Sequence, residues 1–282
     1  MRWIKLFAVI ALIVGVERFC HKQTGGFSLY KVTTHCSSDP IWTVPPQPFE
    51  KEAGKLLDQP FTYLGEGNQC VAFLSQDTQV VLKLFKLHLV RTGFIREALR
   101  SKEQLSFTQK LKKARLDRLS NTMQSLLFSY QNFRDETGLI YLHLSPSTHL
   151  KKKLTLYDKI GICQSIDLDQ TLFFLQRKAE PVYETLSRLM QDKEVEKAKQ
   201  CIYSLLELIH KRQKMGIADI DPRIDTNFGF VGCQAIEIDV GSFLSKAPDA
   251  FQSQLQAEIT HFKQWLQKHY PPLAVCLDEN HL

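Results

Sequence analysis

The stretch Phe61–Lys86, FTYLGEGNQCVAFLSQDTQVVLKLFK, constrains the fold more than any other part of the chain. Its apolar and polar residues alternate with period two, so it specifies strands with one buried face rather than a helix. Gly65-Glu66-Gly67 and Gln76-Asp77-Thr78 interrupt the alternation, and the segment reads strand, turn, strand, turn, strand. At Gly65 and Gly67 the backbone is bare enough to approach a phosphate closely. The third strand, Gln79–Phe85, is apolar along most of its length except at Lys83. An ammonium group in such a strand is costly unless its charge is paired, and phosphate and carboxylate are its natural partners. Taken singly, the glycines also fit an ordinary hairpin, and the lysine also fits an edge strand from which it reaches water.

The order of the parts is more informative than any one of them. Lys83 follows Gly65 by 18 residues, and a long helix is predicted next, over Phe94–Leu119. Two glutamates on it could pair with the lysine. Glu103 shares a helical face with Phe107 and Leu111 and is favoured; Glu97, six residues earlier, is the rival. A solvated glutamate beside Arg100 or Lys102 is the plain alternative. Gly138–Leu144 and Thr171–Pro181 read as two further strands, making five with one helix after the third. EVEKAKQCIYSLLELIHKRQKMG then places Cys201, Leu205, Leu208 and Ile209 at helical spacing and stops at Gly216.

Directly after that helix, Asp219, Asp221, Asp225 and Asn227 crowd into nine positions. Turn formation alone accounts for such a composition. The residues that follow, NFGFVGCQAIEIDVG, add a second reading. They form two strand-like runs around Gly232, so a hairpin would bring Asn227 and Asp239 to one end. A few hard oxygen ligands, completed by phosphates and water, suit magnesium. Asp221 would lie nearby, facing an attacking hydroxyl.

In this order the glycine turn, Lys83, GIADID and IDVG resemble the core of the protein kinase-like superfamily over roughly residues 61–243. The resemblance implies an α+β, two-lobed fold with an antiparallel β lobe and a mainly helical, truncated second lobe. It implies ATP and Mg2+ as cofactors, with Asp221 as catalytic base and Asn227 and Asp239 as metal ligands. Gly65, Gly67, Lys83 and Glu103 would hold the nucleotide, and LQRKAE (Leu175–Glu180) would be the hinge. The chain departs from the pattern at Asp219 and Ile220, where His and Arg are usual. Its Asp221–Asn227 interval is one residue longer than usual, and only 41 residues follow Gly241. That remainder has no room for a full peptide-gripping helical lobe. The expectation is a small atypical phosphotransferase acting on a sugar, lipid-linked or other small hydroxyl acceptor, similar to bacterial lipopolysaccharide-core sugar kinases. A catalytically inactive pseudokinase serving as a membrane-associated binding module is the alternative, and a membrane-anchored α+β protein of unrelated fold is the third reading.

The N-terminus opens MRWIKLFAVIALIVGVERFCHK, with an apolar run of eleven at Leu6–Val16. Its length fits a signal-peptide core, and residues 1–22 are read as a signal-anchor or uncleaved signal; a cleaved signal and a buried helix remain open. Pro40, Pro45, Pro46 and Pro48 mark residues 23–48 as an extended linker. The lobes are then expected at 49–180 and 181–282. An anchored chain that uses ATP would face the cytoplasm. Basic residues at Lys110–Arg118 and Lys151–Lys153 would suit a solvated face or an anionic lipid or saccharide. The net charge of +6 is too mild to demand nucleic acid, and none is expected as a partner. The seven scattered cysteines contain no C-x-x-C pair, which points to free thiols in a reducing compartment rather than zinc.

Overall fold

A computed structural model describes residues 2–33, 53–87, 102–244 and 249–279. Glu97, the start of the predicted long helix and most of the proline-rich linker lie outside the described residues. The chain divides into two compact units, Met1–Asp117 with Tyr141–Leu175, and Arg118–Ile140 with Gln176–Leu282.

The first unit is built on a sheet. After helix α1 (Arg2–Thr24), β1 (Phe61–Glu66), β2 (Cys70–Ser75) and β3 (Val80–Phe85) form an antiparallel meander. The alternation decides which faces are buried: every second residue of β1 and β2 points inward, whereas β3 is buried throughout except at Lys83. Phe61, Phe73 and Phe85 are fully enclosed, and Phe27 meets Phe73 edge-on at 5.0 Å. Asp77 closes the second turn by accepting from the Ser75 hydroxyl (2.7 Å) and the Gln79 amide (3.0 Å). Helix α2 (Lys102–Asn132) begins in this unit and ends in the second. β4 (Leu139–His143), β5 (Lys153–Tyr157), β6 (Cys163–Asp167) and β7 (Phe173–Arg177) complete a seven-stranded sheet in the order β4-β7-β3-β2-β1-β5-β6.

Two expectations about the fold class are corrected here. The fold is mixed α+β, but the sheet has seven strands instead of five and is not wholly antiparallel, because β5 runs parallel to β1. The added strands are the β5–β6 hairpin. Its alternation (Leu154 and Leu156 buried) follows directly on Lys151–Lys153 and reads in sequence as the tail of a basic cluster. Lys152 itself is taken up within the unit, by the Gly54 carbonyl at 2.7 Å and the Asp58 carboxylate.

The second correction concerns the membrane. No described helix is long and apolar enough to cross one. The apolar run in α1 has eleven residues, where a crossing needs about 20, and Glu17 and Arg18 end it at once. The signal-anchor, membrane attachment through the N-terminus and the placement derived from them are withdrawn. With them goes the lipid-contact reading of the basic face of α2, which leaned on that attachment; Lys110, Lys113, Arg115 and Arg118 form a solvent-exposed face.

The second unit is organised around helices. β8 (Glu180–Pro181) leads into α3 (Val182–Gln191), followed by α4 (Val195–Lys214). Ala198, Cys201, Ile202, Leu205, Leu208 and Ile209 of α4 form a buried stripe, and Arg212 continues it. β9 (Ala218–Asp219), β10 (Phe228–Val231), β11 (Gln234–Glu237) and β12 (Phe243–Leu244) follow. β10 and β11 form the expected hairpin, turning at Gly232 (φ +63°), and it packs on α4 where the Ala235 amide donates to the Ser204 hydroxyl (2.9 Å). β10 also pairs with β8 at Gly229, where a Cβ would lie 2.7 Å from the Glu180 carbonyl oxygen. β12 returns to pair with β9, setting Phe243 opposite Asp219. Helices α5 (Asp249–His269) and α6 (Pro271–Glu279) close the unit; Phe262 and Leu266 are fully buried, and Trp265 packs on Tyr183 at 4.3 Å between ring centroids.

Candidate functional site

In the first unit, Gly65 lies beside a register shift in β1 and Gly67 lies in the turn to β2, where its amide donates to the Cys70 carbonyl (2.9 Å). A Cβ at either glycine would meet nothing within 4 Å, so the space above the turn is open. Lys86 secures the turn from below. Its ammonium donates to the Gly67 carbonyl (2.6 Å) and pairs with Glu66 at 2.9 Å. Burial works to raise the Glu66 carboxyl pKa, but the hydrogen bond and charge of Lys86, with Lys31 and His21 behind them, hold it below the usual value. Lys83, opposite Ala72 in β2, is half-buried, with Nζ 5.4 Å from the centre of the Phe174 ring. Glu103 falls in α2, but its side chain lies outside the described residues.

The second unit gathers the acidic residues. Asn227 is buried at the entrance to β10, and its Nδ2 donates to the Asp221 carbonyl (2.5 Å). Its own carbonyl accepts from the Ile238 amide (2.7 Å), so the hairpin brings Asn227 to the residue before Asp239. The carboxylates of Asp221 and Asp239 are exposed. Asp225 is exposed too and pairs with Arg223 at 3.4 Å, as a turn residue does. The Asp239-Val240-Gly241 turn is clamped from α2: Ser125 donates to the Val240 carbonyl and accepts from the Phe243 amide (3.0 Å), and Thr122 donates to the Gly241 carbonyl (3.2 Å). A Cβ at Gly241 would press on Thr122 at 3.2 Å, so glycine is what lets the turn lie against the helix.

Beneath this rim lies a buried charge cluster. Arg212, Asp219 and Glu237 are 2%, 3% and 0% exposed. Arg212 Nη1 is bonded to Glu237 Oε1 and lies 3.6 Å from Asp219 Oδ2. Asp219 Oδ1 accepts from the Asp221 amide (3.0 Å) and the Ser242 hydroxyl (2.6 Å). One guanidinium serves two carboxylates here, and Asp219 Oδ2 and Glu237 Oε2 are buried without a hydrogen-bond partner. Burial first, then the charges of Asp219 and Asp239, push the Glu237 carboxyl well above its ordinary pKa against the pull of Arg212. A proton on Glu237 could be donated to Asp219 and would leave the cluster neutral.

Sequence reasoning missed Arg212, Glu237, Ser125, Thr122 and Lys86. Arg212 could have been found as the next step of the stripe Cys201, Leu205, Leu208, and Glu237 as a charge inside an apolar run, the same signal that singled out Lys83. Ser125 and Thr122 carry no such mark, because their partners are more than 100 residues away.

As magnesium ligands, Asn227 and Asp239 offer an amide and a carboxylate oxygen at one end of a hairpin; the Asn227 amide oxygen already accepts from the Thr226 hydroxyl (2.9 Å) and has one lone pair left for an ion whose shell phosphates would complete. No group of three or more His, Cys, Asp or Glu side chains forms a metal cage among the described residues. No protein-family model matches the chain, and no curated protein matches it.

Proposed function

We propose that the chain is a small ATP- and Mg2+-dependent phosphotransferase acting on a hydroxyl acceptor such as a sugar. The observation that carries this reading is the second unit's loop and hairpin, which tie Asp221, Asn227 and the start of Ile238-Asp239 together by two hydrogen bonds. The reaction class needs a carboxylate to receive the acceptor's proton beside oxygen ligands for magnesium. The acceptor oxygen would attack the terminal phosphorus, the bond to the leaving ADP would break, and the hydroxyl proton would pass to the Asp221 carboxylate. Asn227 and Asp239 would hold the ion, whose charge offsets that of the phosphates. Taken by itself, the first unit offers in Lys83 a cation, and at Gly65 and Gly67 an open backbone, of the kind that holds phosphate oxygens.

A nucleotide thermal-shift assay tests the reading. ATP with Mg2+ is expected to raise the melting temperature of the full chain, and Asp239→Ala to abolish the rise. If no nucleotide shifts the protein, with or without Mg2+, the phosphotransferase reading is wrong and the chain is a binding module without nucleotide.

A further inference from the structure

Arg212 stands between two carboxylates, each two residues before one of the exposed aspartates: Asp219 precedes Asp221, and Glu237 precedes Asp239. Asp219 and Glu237 are each the last residue of a short strand, and the chain bends between each of them and the exposed aspartate two residues on, so the buried anchor fixes the point from which each bend starts. We infer that Arg212 is a positioning residue, a buried brace that sets the spacing between Asp221 and the Asp239 turn and thereby the geometry of the Mg2+ site. The inference rests on the phosphotransferase reading.

Three further contacts support it. The Asp219 carboxylate oxygen that faces away from Arg212 accepts from the Asp221 amide and from Ser242, which lies three residues beyond Asp239. One side chain therefore joins the loop to the far side of the turn. The backbones meet at the same place, where β9 pairs with β12 and the Ile220 amide donates to the Ser242 carbonyl (3.4 Å). The third contact is on the guanidinium itself, which lies 5.5 Å from the Phe228 ring centre, at the first residue of β10 and next to Asn227. In this chain an aspartate stands where the resemblance leads one to expect a histidine. The buried arginine explains why an acidic residue is tolerated there: it supplies the countercharge, and Asp219 then accepts two bonds that a neutral donor could not.

The test is a Mg2+ titration followed by the thermal shift in saturating ATP, run on wild type, Asp239→Ala, Arg212→Lys and Ser242→Ala. Groups that orient metal ligands from outside the coordination shell change metal affinity by roughly 10–100-fold when lost. Arg212→Lys is therefore expected to raise the Mg2+ concentration at half-response about tenfold or more, with the shift given by ATP alone unchanged. Ser242→Ala leaves the charge cluster intact and keeps the test decisive if the lysine variant fails to fold; a several-fold rise in the Mg2+ requirement is expected. A residue that is only structural would lower the melting temperature of the free protein and leave the Mg2+ midpoint where it was, and that result overturns the inference while the phosphotransferase reading stands. If wild type and Asp239→Ala are equally indifferent to ATP and Mg2+, both fall together.

Discussion

Each unit encloses a carboxylate network, and the two are built on opposite principles. In the first, Asp169 accepts from the Ser147 hydroxyl and the Leu150 amide (3.1 Å) on one oxygen and from the Lys151 amide (2.7 Å) on the other. Every donor is neutral and every carboxylate oxygen is used. Burial tends to raise the Asp169 pKa, but these bonds outweigh it and hold the carboxyl below its ordinary value. The network pins the 147–151 loop and has nothing left over. In the second, two carboxylates crowd one guanidinium, and a proton on Glu237 is what the remaining acceptors, Asp219 Oδ2 and Glu237 Oε2, have to share. A network that closes on itself does structural work. One that must hold a proton between two buried carboxylates beneath an exposed acidic rim carries a cost that stability alone does not explain, and such costs gather at functional sites.

The sharpest way to break this contrast is to remove the central group from each network, the donor Arg212 from one and the acceptor Asp169 from the other. Arg212→Met leaves the buried Asp219 carboxylate without a countercharge, and a loss of about 3–5 kcal/mol is expected by urea denaturation. Asp169→Ala orphans the buried Leu150 amide but strands no charge, so a smaller loss of about 1–3 kcal/mol is expected. Equal losses would mean that the second cluster is no more strained than the first.

Those two networks also show what the sequence could and could not reveal. The meander was legible because period-two alternation between β1 and β3 is local, and its turns carry Gly67 and Asp77. The hairpin that joins Asn227 to Ile238 was legible for the same reason. The β5–β6 hairpin was hidden by three lysines at its start. Arg212 was hidden because it stands in a run of basic residues at a helix C-terminus, where solvated cations are ordinary. The roles of Thr122 and Ser125 depend on pairing across more than 100 residues, which no local pattern encodes. The N-terminal run misled through composition: its residues are apolar enough for a membrane, but the run is too short.

A gentler contrast comes from pH. Glu237 has a folded pKa raised above its ordinary 4.5. The stability it contributes is fully present below that value and is lost as pH rises towards the folded pKa. His143 in the first unit behaves in the opposite way. Its Nδ1–H donates to the Thr171 carbonyl (2.8 Å), and its Nε2 lies 3.0 Å from Ser147 Oγ. Burial dominates and lowers its pKa from 6.5, so its contribution is present above 6.5 and lost as pH falls. Between pH 4.5 and 6.5 the two units should therefore respond with opposite sign. Glu237→Gln should remove the stability lost on raising pH, and His143→Gln the stability lost on lowering it, each by at most about 1.4 kcal/mol per pH unit. Urea midpoints measured across that window decide it; slopes of the same sign would show that Glu237 is ionised in the fold.

The smallest expected effect separates two kinds of glycine. Gly229 is needed by the fold, since a Cβ there would meet the Glu180 carbonyl oxygen at 2.7 Å. Gly67 lies in open space and lacks the positive φ that would make alanine strained. Gly67→Ala should therefore change stability by less than about 1 kcal/mol, in the stabilising direction if at all, because alanine restricts the unfolded chain. On the phosphotransferase reading the same methyl would stand where a phosphate must approach, and it should weaken the ATP–Mg2+ thermal shift severalfold. An unchanged shift in Gly67→Ala would assign the glycine turn to chain reversal alone. A lost shift with unchanged stability would show that the open space above Gly67 is kept for a ligand.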